Sequence, residues 1–163
     1  IQTELNYELN RRWSVRTAYR YLDVKTRYQK GILEKPLLSK HRGFVNLAYS
    51  SRKNNQKQWK ADLTAQWIGN QRIPYTEDKD PEFIQQERCP DFVLLNGQIT
   101  RIASERTELY LGVENALNFR QSNPILSAEN PHDPDFDSSL IWGPIFGRMV
   151  YFGFRFTIDK HKE

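Results

Sequence analysis

The segment Trp59-Lys-Ala-Asp-Leu-Thr-Ala-Gln-Trp67 decides the fold that this sequence predicts. Apolar side chains stand at every second position from one tryptophan to the other, and polar side chains stand between them. Successive side chains of a β-strand point to opposite faces, so this alternation indicates a strand with one apolar and one polar face. The pattern therefore predicts a sheet whose two faces meet different surroundings.

The same alternation recurs on both sides of this segment, and no segment of helical length repeats its apolar residues with a helical period. We predict seven strands of about 9 to 12 residues each, whereas ordinary strands have about 5 to 6 and strands that cross a bilayer about 9 to 11. The alternation from which these strands are inferred is clearest over 1–9, 13–21, 44–49, 59–67, 93–100, 108–114 and 149–158, so that some strands are expected to extend beyond these bounds.

The connections between these segments alternate in length. The short, polar ones lie near residues 10–12, 51–56 and 102–106. The long ones lie near residues 25–41, 69–91 and 116–146. Short turns at one end and long loops at the other are typical of outer-membrane barrels. The predicted fold is therefore all-β: an antiparallel, up-and-down transmembrane β-barrel segment with short periplasmic turns and long extracellular loops.

The composition is polar but rich in aromatic residues. Of the 163 residues, 38% are apolar and 13% aromatic, and the net charge is +4. No apolar run approaches the roughly 18 residues that suggest a membrane-spanning helix, and disordered chains are poor in aromatic residues. A barrel with a wet interior explains both values, because only the lipid-facing half of each strand is apolar. The single cysteine, Cys89, excludes an internal disulfide.

Two pairs of aromatic residues mark the ends of predicted strands. Trp13 and Tyr21 share one face of the second strand, and Trp59 and Trp67 share one face of the fourth. At about 3.3 Å per residue and a tilt of roughly 40°, each pair spans about 20 Å along the membrane normal. We predict that they form two girdles at the membrane interfaces. The alternative is cross-strand aromatic packing in a soluble β-sandwich.

Charged residues and tyrosines occupy the intervening positions of several strands. In a barrel these positions face the lumen, where they contact a plug domain, a substrate or one another. The predicted lumen-facing residues are Arg16, Arg20, Glu108, Tyr110, Glu114, Tyr151 and Arg155.

Catalysis and tightly bound cofactors are not expected. No common hydrolase, zinc-protease, phosphate-binding or dinucleotide-binding motif occurs, and the three histidines fall in predicted loops or in the tail. The segment 133–137 begins like a calcium loop, but the glycine and glutamate that such a loop needs are replaced by Ser138 and Pro144. A looser divalent-cation site and a plain acidic loop both stay open for His132, Asp133, Asp135 and Asp137.

The first long loop is basic and the second is acidic. A basic barrel loop suits contact with lipopolysaccharide or an anionic ligand better than nucleic-acid binding, and a simply solvated loop is the alternative. The two loops either pair or line different sides of one opening. Candidates for covering a ligand at this end, or for packing the third loop on itself, are His132, Phe136, Trp142 and Phe146.

Two C-terminal motifs resemble TonB-dependent outer-membrane receptors. The stretch Glu108–Asn118 reads ELYLGVENALN and resembles their penultimate strand with its following turn, and 147–158 resembles their closing strand. Further stretches are similar to receptors of this family from Bacteroidetes-type bacteria, and they are 35–42, 65–69 and 130–147.

The resemblance implies that residues 1–158 form the C-terminal part of a barrel of about 22 strands, and 159–163 a polar tail. It implies that the parent protein takes up a scarce nutrient (a metal chelate, cobalamin or glycan) through the outer membrane, energised by TonB. The implied partners are lipid, lipopolysaccharide, the remaining barrel strands, and the plug and TonB-contacting region, neither of which is assigned to this chain. The barrel-assembly machinery would read the closing strand at Phe152, Phe154, Phe156 and Ile158.

Two other classes of protein stay open. A non-transporting outer-membrane barrel, serving as an adhesin or a structural component, shares the same strand pattern and would lack a plug domain. A soluble lipocalin-like binding barrel also alternates polar and apolar positions, and it would dissolve as a monomer without detergent.

Overall fold

β-Strands are the main regular elements of the part of the chain that the structure describes. The computed structural model describes residues 1–28 and 30–158. Within those ranges it contains one 3₁₀ turn, Pro81–Phe83, and no α-helix. The strands, in chain order, are β1 (Gln2–Asn10), β2 (Trp13–Tyr21), β3 (Lys25–Tyr28), β4 (Gly31–Glu34), β5 (His41–Ser50), β6 (Gln58–Ile68), β7 (Phe92–Ile102), β8 (Thr107–Glu114) and β9 (Met149–Phe156).

Seven of these strands form one antiparallel sheet, in the order β1-β2-β5-β6-β7-β8-β9. The seven predicted strands and their up-and-down antiparallel order are confirmed, and the structure adds two short strands, β3 and β4, that were not predicted. Among the residues described, β1 and β9 have a neighbour on one side only, so the sheet is open and does not close into a barrel.

The last two strands are shorter than predicted. Both β8 and β9 have 8 residues, and Ile158, expected in the closing strand, lies beyond the end of β9. The reason is that Thr107, the first residue of β8, pairs with Phe156, so no strand continues beside Ile158. The predicted tail, 159–163, lies outside the described residues.

The first long connection differs from the sequence-based expectation in two ways. His41, expected in a loop, is the first residue of β5 and pairs with Tyr21. The preceding connection contains the separate hairpin β3–β4, in which Lys25 pairs with Glu34. Strands of 4 residues are too short to show a clear alternation, which is why the sequence did not reveal them.

Continuous pairing aligns side chains of one kind across the whole sheet. Directly paired residues of an antiparallel sheet lie on the same face. The pairing therefore defines an apolar face, whose central row is Tyr7, Val15, Leu47, Leu63, Gly97, Val113 and Val150. The opposite, polar face has a neighbouring row that contains Ser14, Ala48, Asp62, Gln98, Gly112 and Tyr151.

The connections are sorted by end, as predicted. At the short-turn end, Asn55 and Gln56 have φ of 45° and 68° between the bridged residues Asn54 and Lys57, a backbone suited to tight hairpins. The connections 22–40, 69–91 and 115–148 all leave the other end, because consecutive strands run antiparallel. We call these three connections together the loop cap.

The buried apolar core lies in the loop cap rather than against the sheet. Ile73, Cys89, Leu126 and Leu140 form one cluster, against which Phe83 and Trp142 pack. These residues come from the second and third long connections. The sheet itself therefore has no protein layer on either face among the described residues.

Candidate functional site

The apolar face is the most unusual surface of the described chain. Its large side chains are exposed across the full width of the sheet, from Leu5 on β1 to Phe152 and Phe154 on β9, which are 70% and 69% exposed. Soluble monomers rarely expose a continuous apolar surface of this extent. Near the middle of this face, Gly97 has no side chain, and an apolar groove of about 470 Å³ lies there beside Leu63, Ile99 and Leu111.

Aromatic residues lie near the short-turn end of this face. The rings of Trp13 and Tyr49 contact each other with centroids 4.7 Å apart, and both residues pair across β2 and β5. The Arg101 guanidinium lies over the Trp59 ring at 4.8 Å. The guanidinium is attracted to the face of the tryptophan ring, so this position presents an apolar ring and a charged group side by side.

A second aromatic group lies near the loop-cap end of the same face. The His41 ring lies 5.2 Å from the Tyr21 ring and 6.4 Å from the Trp67 ring, and its Nδ1 is 2.6 Å from the Tyr19 hydroxyl. The Trp67 indole N–H donates to Asp91 Oδ2 at 3.1 Å. The four predicted girdle residues thus share one face, and His41 joins their group through the earlier start of β5.

All seven predicted lumen-facing residues lie on the polar face, as their pairing shows. Two of the charged ones form cross-strand ion pairs, Arg16 with Glu4 and Arg155 with Glu108, each at 2.8 Å. Glu114 is exposed at the loop-cap end of β8. The polar face therefore carries both charged side chains in ion pairs, such as Arg16 and Arg155, and an exposed charged side chain, Glu114.

The centre of the polar face is an open groove of about 370 Å³ lined mainly by polar side chains. The Asn46 amide donates to Asp62 Oδ1 at 2.7 Å and to Thr64 Oγ1 at 2.8 Å. The Tyr151 hydroxyl donates to Gln98 Oε1 at 2.9 Å. These bonds connect β5 with β6 and β7 with β9 on the side away from the apolar face.

Two tyrosines on this face each cover a glycine of the neighbouring strand. Tyr110 lies over Gly153, and Tyr151 lies over Gly112, its direct partner across β8 and β9. A Cβ atom at either glycine would overlap the tyrosine ring. Aromatic rings laid over strand glycines compensate for the side chain that glycine lacks.

Buried amide side chains connect the segments of the loop cap. Asn115 Nδ2 donates to the Phe119 and Phe146 carbonyls at 2.7 and 3.3 Å, and its Oδ1 accepts from the Phe119 N–H at 3.0 Å. Gln121 Nε2 donates to the Leu140 carbonyl, and its Oε1 accepts from the Trp142 N–H, both at 2.8 Å. The third connection is thus folded on itself by internal hydrogen bonds.

The four candidate ligand-covering residues do not form one site. Trp142 packs against both Phe92 and Phe119, whose rings are stacked on each other 4.6 Å apart, and against the core of the cap. His132, Phe136 and Phe146 are exposed, Phe146 by 70%. For Trp142, the structure favours the alternative of loop packing.

The acidic segment does not assemble a metal site. Across 1–28 and 30–158, no group of three or more His, Cys, Asp or Glu residues is placed to hold a metal ion. Asp133 Oδ1 accepts from the Asp135 N–H at 2.8 Å, and Asp137 Oδ1 accepts from the Ser139 N–H at 2.8 Å. These two carboxylates stabilise local turns, and that of Asp135 faces Lys79 of the second connection, so the three are not assembled with His132.

The basic first loop and the acidic second loop pair with each other. Glu34 of the first loop accepts from Arg88 of the second at 2.9 Å and is also bound by Lys40. Lys30 lies 3.8 Å from Glu77 and over the Tyr75 ring. Lys40 and Arg88 hold the pKa of Glu34 below its usual value, despite the opposing effect of burial.

The single cysteine is a core residue of the cap. Burial raises the pKa of the Cys89 thiol, and its Sγ accepts a hydrogen bond from the Gln71 N–H at 3.3 Å.

Within the described chain, no helix is long and apolar enough to cross a membrane. In comparisons with known proteins, no family model, curated protein or solved structure matches this chain.

Proposed function

We propose that this chain is a membrane-embedded segment of an outer-membrane β-barrel, with its apolar face towards lipid and its polar face towards the lumen. The observation that carries the proposal is the continuous exposed apolar face, with aromatic residues near both of its ends. In water such a face would have to be covered by protein. In a membrane it is in contact with the hydrocarbon chains of the lipid, which are also apolar. The open edges of β1 and β9 then pair with further strands of the parent barrel.

The kind of barrel rests on the resemblance of Glu108–Asn118 and 147–158 to TonB-dependent receptors. The proposed activity of the parent protein is uptake of a scarce nutrient, energised from the inner membrane through TonB. Its partners would be lipid and lipopolysaccharide, a plug domain on the polar face, and the barrel-assembly machinery during insertion. The paired and internally bonded loop cap supports a role on the outer surface, where barrel loops are long.

Tryptophan fluorescence tests the lipid contact. Variants of the protein that carries this chain would each keep one of Trp13, Trp59, Trp67 and Trp142, with phenylalanine at the other three. In vesicles with brominated acyl chains, we expect quenching of the three tryptophans on the apolar face, strongest with bromines near the headgroups. Trp142, packed in the cap core, is the internal control and should keep its emission.

Equal emission from all four variants in brominated and ordinary lipid would contradict the proposal. The same conclusion would follow from a protein that stays monomeric in buffer without detergent, because its apolar face would then be covered by protein.

A further inference from the structure

Two arginines stand opposite each other on the polar face, beside the loop cap. Arg20 of β2 and Arg42 of β5 are direct cross-strand partners. Like charges placed directly opposite in a sheet are destabilising unless an anion lies between them. An anionic group at this position would therefore stabilise the sheet.

The other two arginines of the polar face have their counter-charges. Arg16 and Arg155 are each bound to a glutamate of the adjacent strand at 2.8 Å. In the part of the chain described, Arg20 and Arg42 have no carboxylate within ion-pair distance. Glu4, two positions from the residue paired with Arg20, is already bound by Arg16 and Asn6.

Arg20 also has an unused donor. Its Nε is the one buried side-chain nitrogen or oxygen without a hydrogen-bond partner among the described residues. A buried unsatisfied donor of a charged group is costly, so a native site normally supplies an acceptor. The Nε of Arg20 and the like-charge pair independently favour an anionic acceptor at this place.

A groove of about 190 Å³ runs beside the two arginines. Its lining contains no carboxylate, and it adds the amide side chains of Gln2 and Gln66 to the two arginines. Guanidinium groups bind phosphate and carboxylate oxygens through paired N–H donors.

We propose that Arg20 and Arg42 bind the oxygens of one phosphate or carboxylate group. The group belongs either to a free anionic ligand that reaches the polar face from the loop-cap end or to an acidic side chain elsewhere in the parent protein. This inference goes beyond the proposed membrane role and does not depend on lipid contact, because it concerns the opposite face of the sheet.

The test measures binding of inorganic phosphate and of citrate by titration calorimetry, at constant ionic strength, together with thermal unfolding. The variants are Arg20→Gln, Arg42→Gln, Arg20→Lys and Arg42→Lys, and the control is Arg155→Gln, which removes an arginine that already has a partner. For a free ligand, each glutamine variant should weaken binding about tenfold or more, the lysine variants less, and the control should bind normally.

For an acidic group of the protein itself, the wild type binds neither probe, and the glutamine variants at positions 20 and 42 unfold at lower temperature than the control. The inference is overturned if the wild type binds neither probe and these variants unfold at the same or a higher temperature. That result would mean that the two arginines only repel each other and that removing either charge does not destabilise the sheet. Equal binding by wild type and all variants would overturn it as well.

Discussion

At the scale of single residues, Asn115 organises the exit from β8 into the loop cap. It is buried and has a φ of 49°, a left-handed conformation that asparagine tolerates better than most residues. Its side chain bonds Phe119 twice and Phe146 once, and its N–H donates to Asn96 Oδ1 at 2.9 Å. The asparagines of the motif ELYLGVENALN therefore have a structural reason, since Asn118 likewise accepts from the Arg148 N–H at 2.9 Å.

Replacing Asn115 by alanine should lower the free energy of unfolding by about 2 to 4 kcal/mol, because buried backbone groups lose their partners and alanine disfavours a positive φ. Denaturant unfolding in detergent measures the loss. Asn123→Ala is the matched control, since Asn123 also has a positive φ, of 48°, but is exposed. Equal losses in the two variants would show that the side-chain bonds of Asn115 contribute little.

At the scale of elements, the pairing of β8 with β9 depends on two tyrosine-over-glycine contacts. Gly112 and Gly153 leave room on the polar face, and Tyr151 and Tyr110 occupy it with their rings 6.3 Å apart. The pattern is reciprocal, since each strand gives one glycine and one tyrosine. It holds together β8, which begins the motif ELYLGVENALN, and β9.

Substitution of Gly112 by alanine should destabilise this strand pair by about 1 to 3 kcal/mol, because the new Cβ displaces the Tyr151 ring. The displaced hydroxyl also loses Gln98 as acceptor. Amide hydrogen exchange across β8 and β9 reports the effect. Gly97→Ala, where the Cβ meets only Leu63 at 3.4 Å and other atoms at ordinary contact distance, should leave exchange unchanged. Faster exchange in both variants would mean that any strand glycine is sensitive.

At the scale of the whole molecule, a two-faced sheet carries a cap that has its own core. Ion pairs between the first and second connections close the cap, and Glu34 is their centre because it binds both Lys40 and Arg88. The sheet presents its apolar face to the surroundings, and the cap buries the main apolar cluster. Stability of the cap is therefore partly electrostatic and depends on pH.

The pKa of Glu34 is lowered in the folded protein, so the stabilisation it provides is present above its unfolded pKa of about 4.5 and is lost as pH falls through the folded value. We expect Glu34→Gln to unfold at lower temperature than wild type at pH 6, and the difference to vanish in strong acid. Thermal unfolding between pH 6 and pH 3 measures it. Glu129→Gln, at an exposed position of the third connection, should follow the wild-type curve. A difference that persists at low pH would assign the loss to packing.

Much of the architecture could be predicted, and much of the candidate site could not. The alternation around Trp59 and Trp67 predicted the strands, their two faces and the sorting of the connections. His41 and the β3–β4 hairpin escaped prediction because short or interrupted alternation carries little signal. The acidic segment left a divalent-cation site open in sequence, yet Asp133 and Asp137 accept hydrogen bonds within local turns, and the Asp135 carboxylate faces Lys79.

By itself, the sequence determined which side chains share a face, because side-chain direction in a strand follows from position alone. Only the tertiary structure decided which residues meet across strands and between connections. It set Arg20 against Arg42, laid Tyr151 over Gly112, and joined Ile73, Cys89, Leu126 and Leu140 in one core. The physical reason is that such meetings depend on register and on the packing of distant segments, and a local pattern specifies neither.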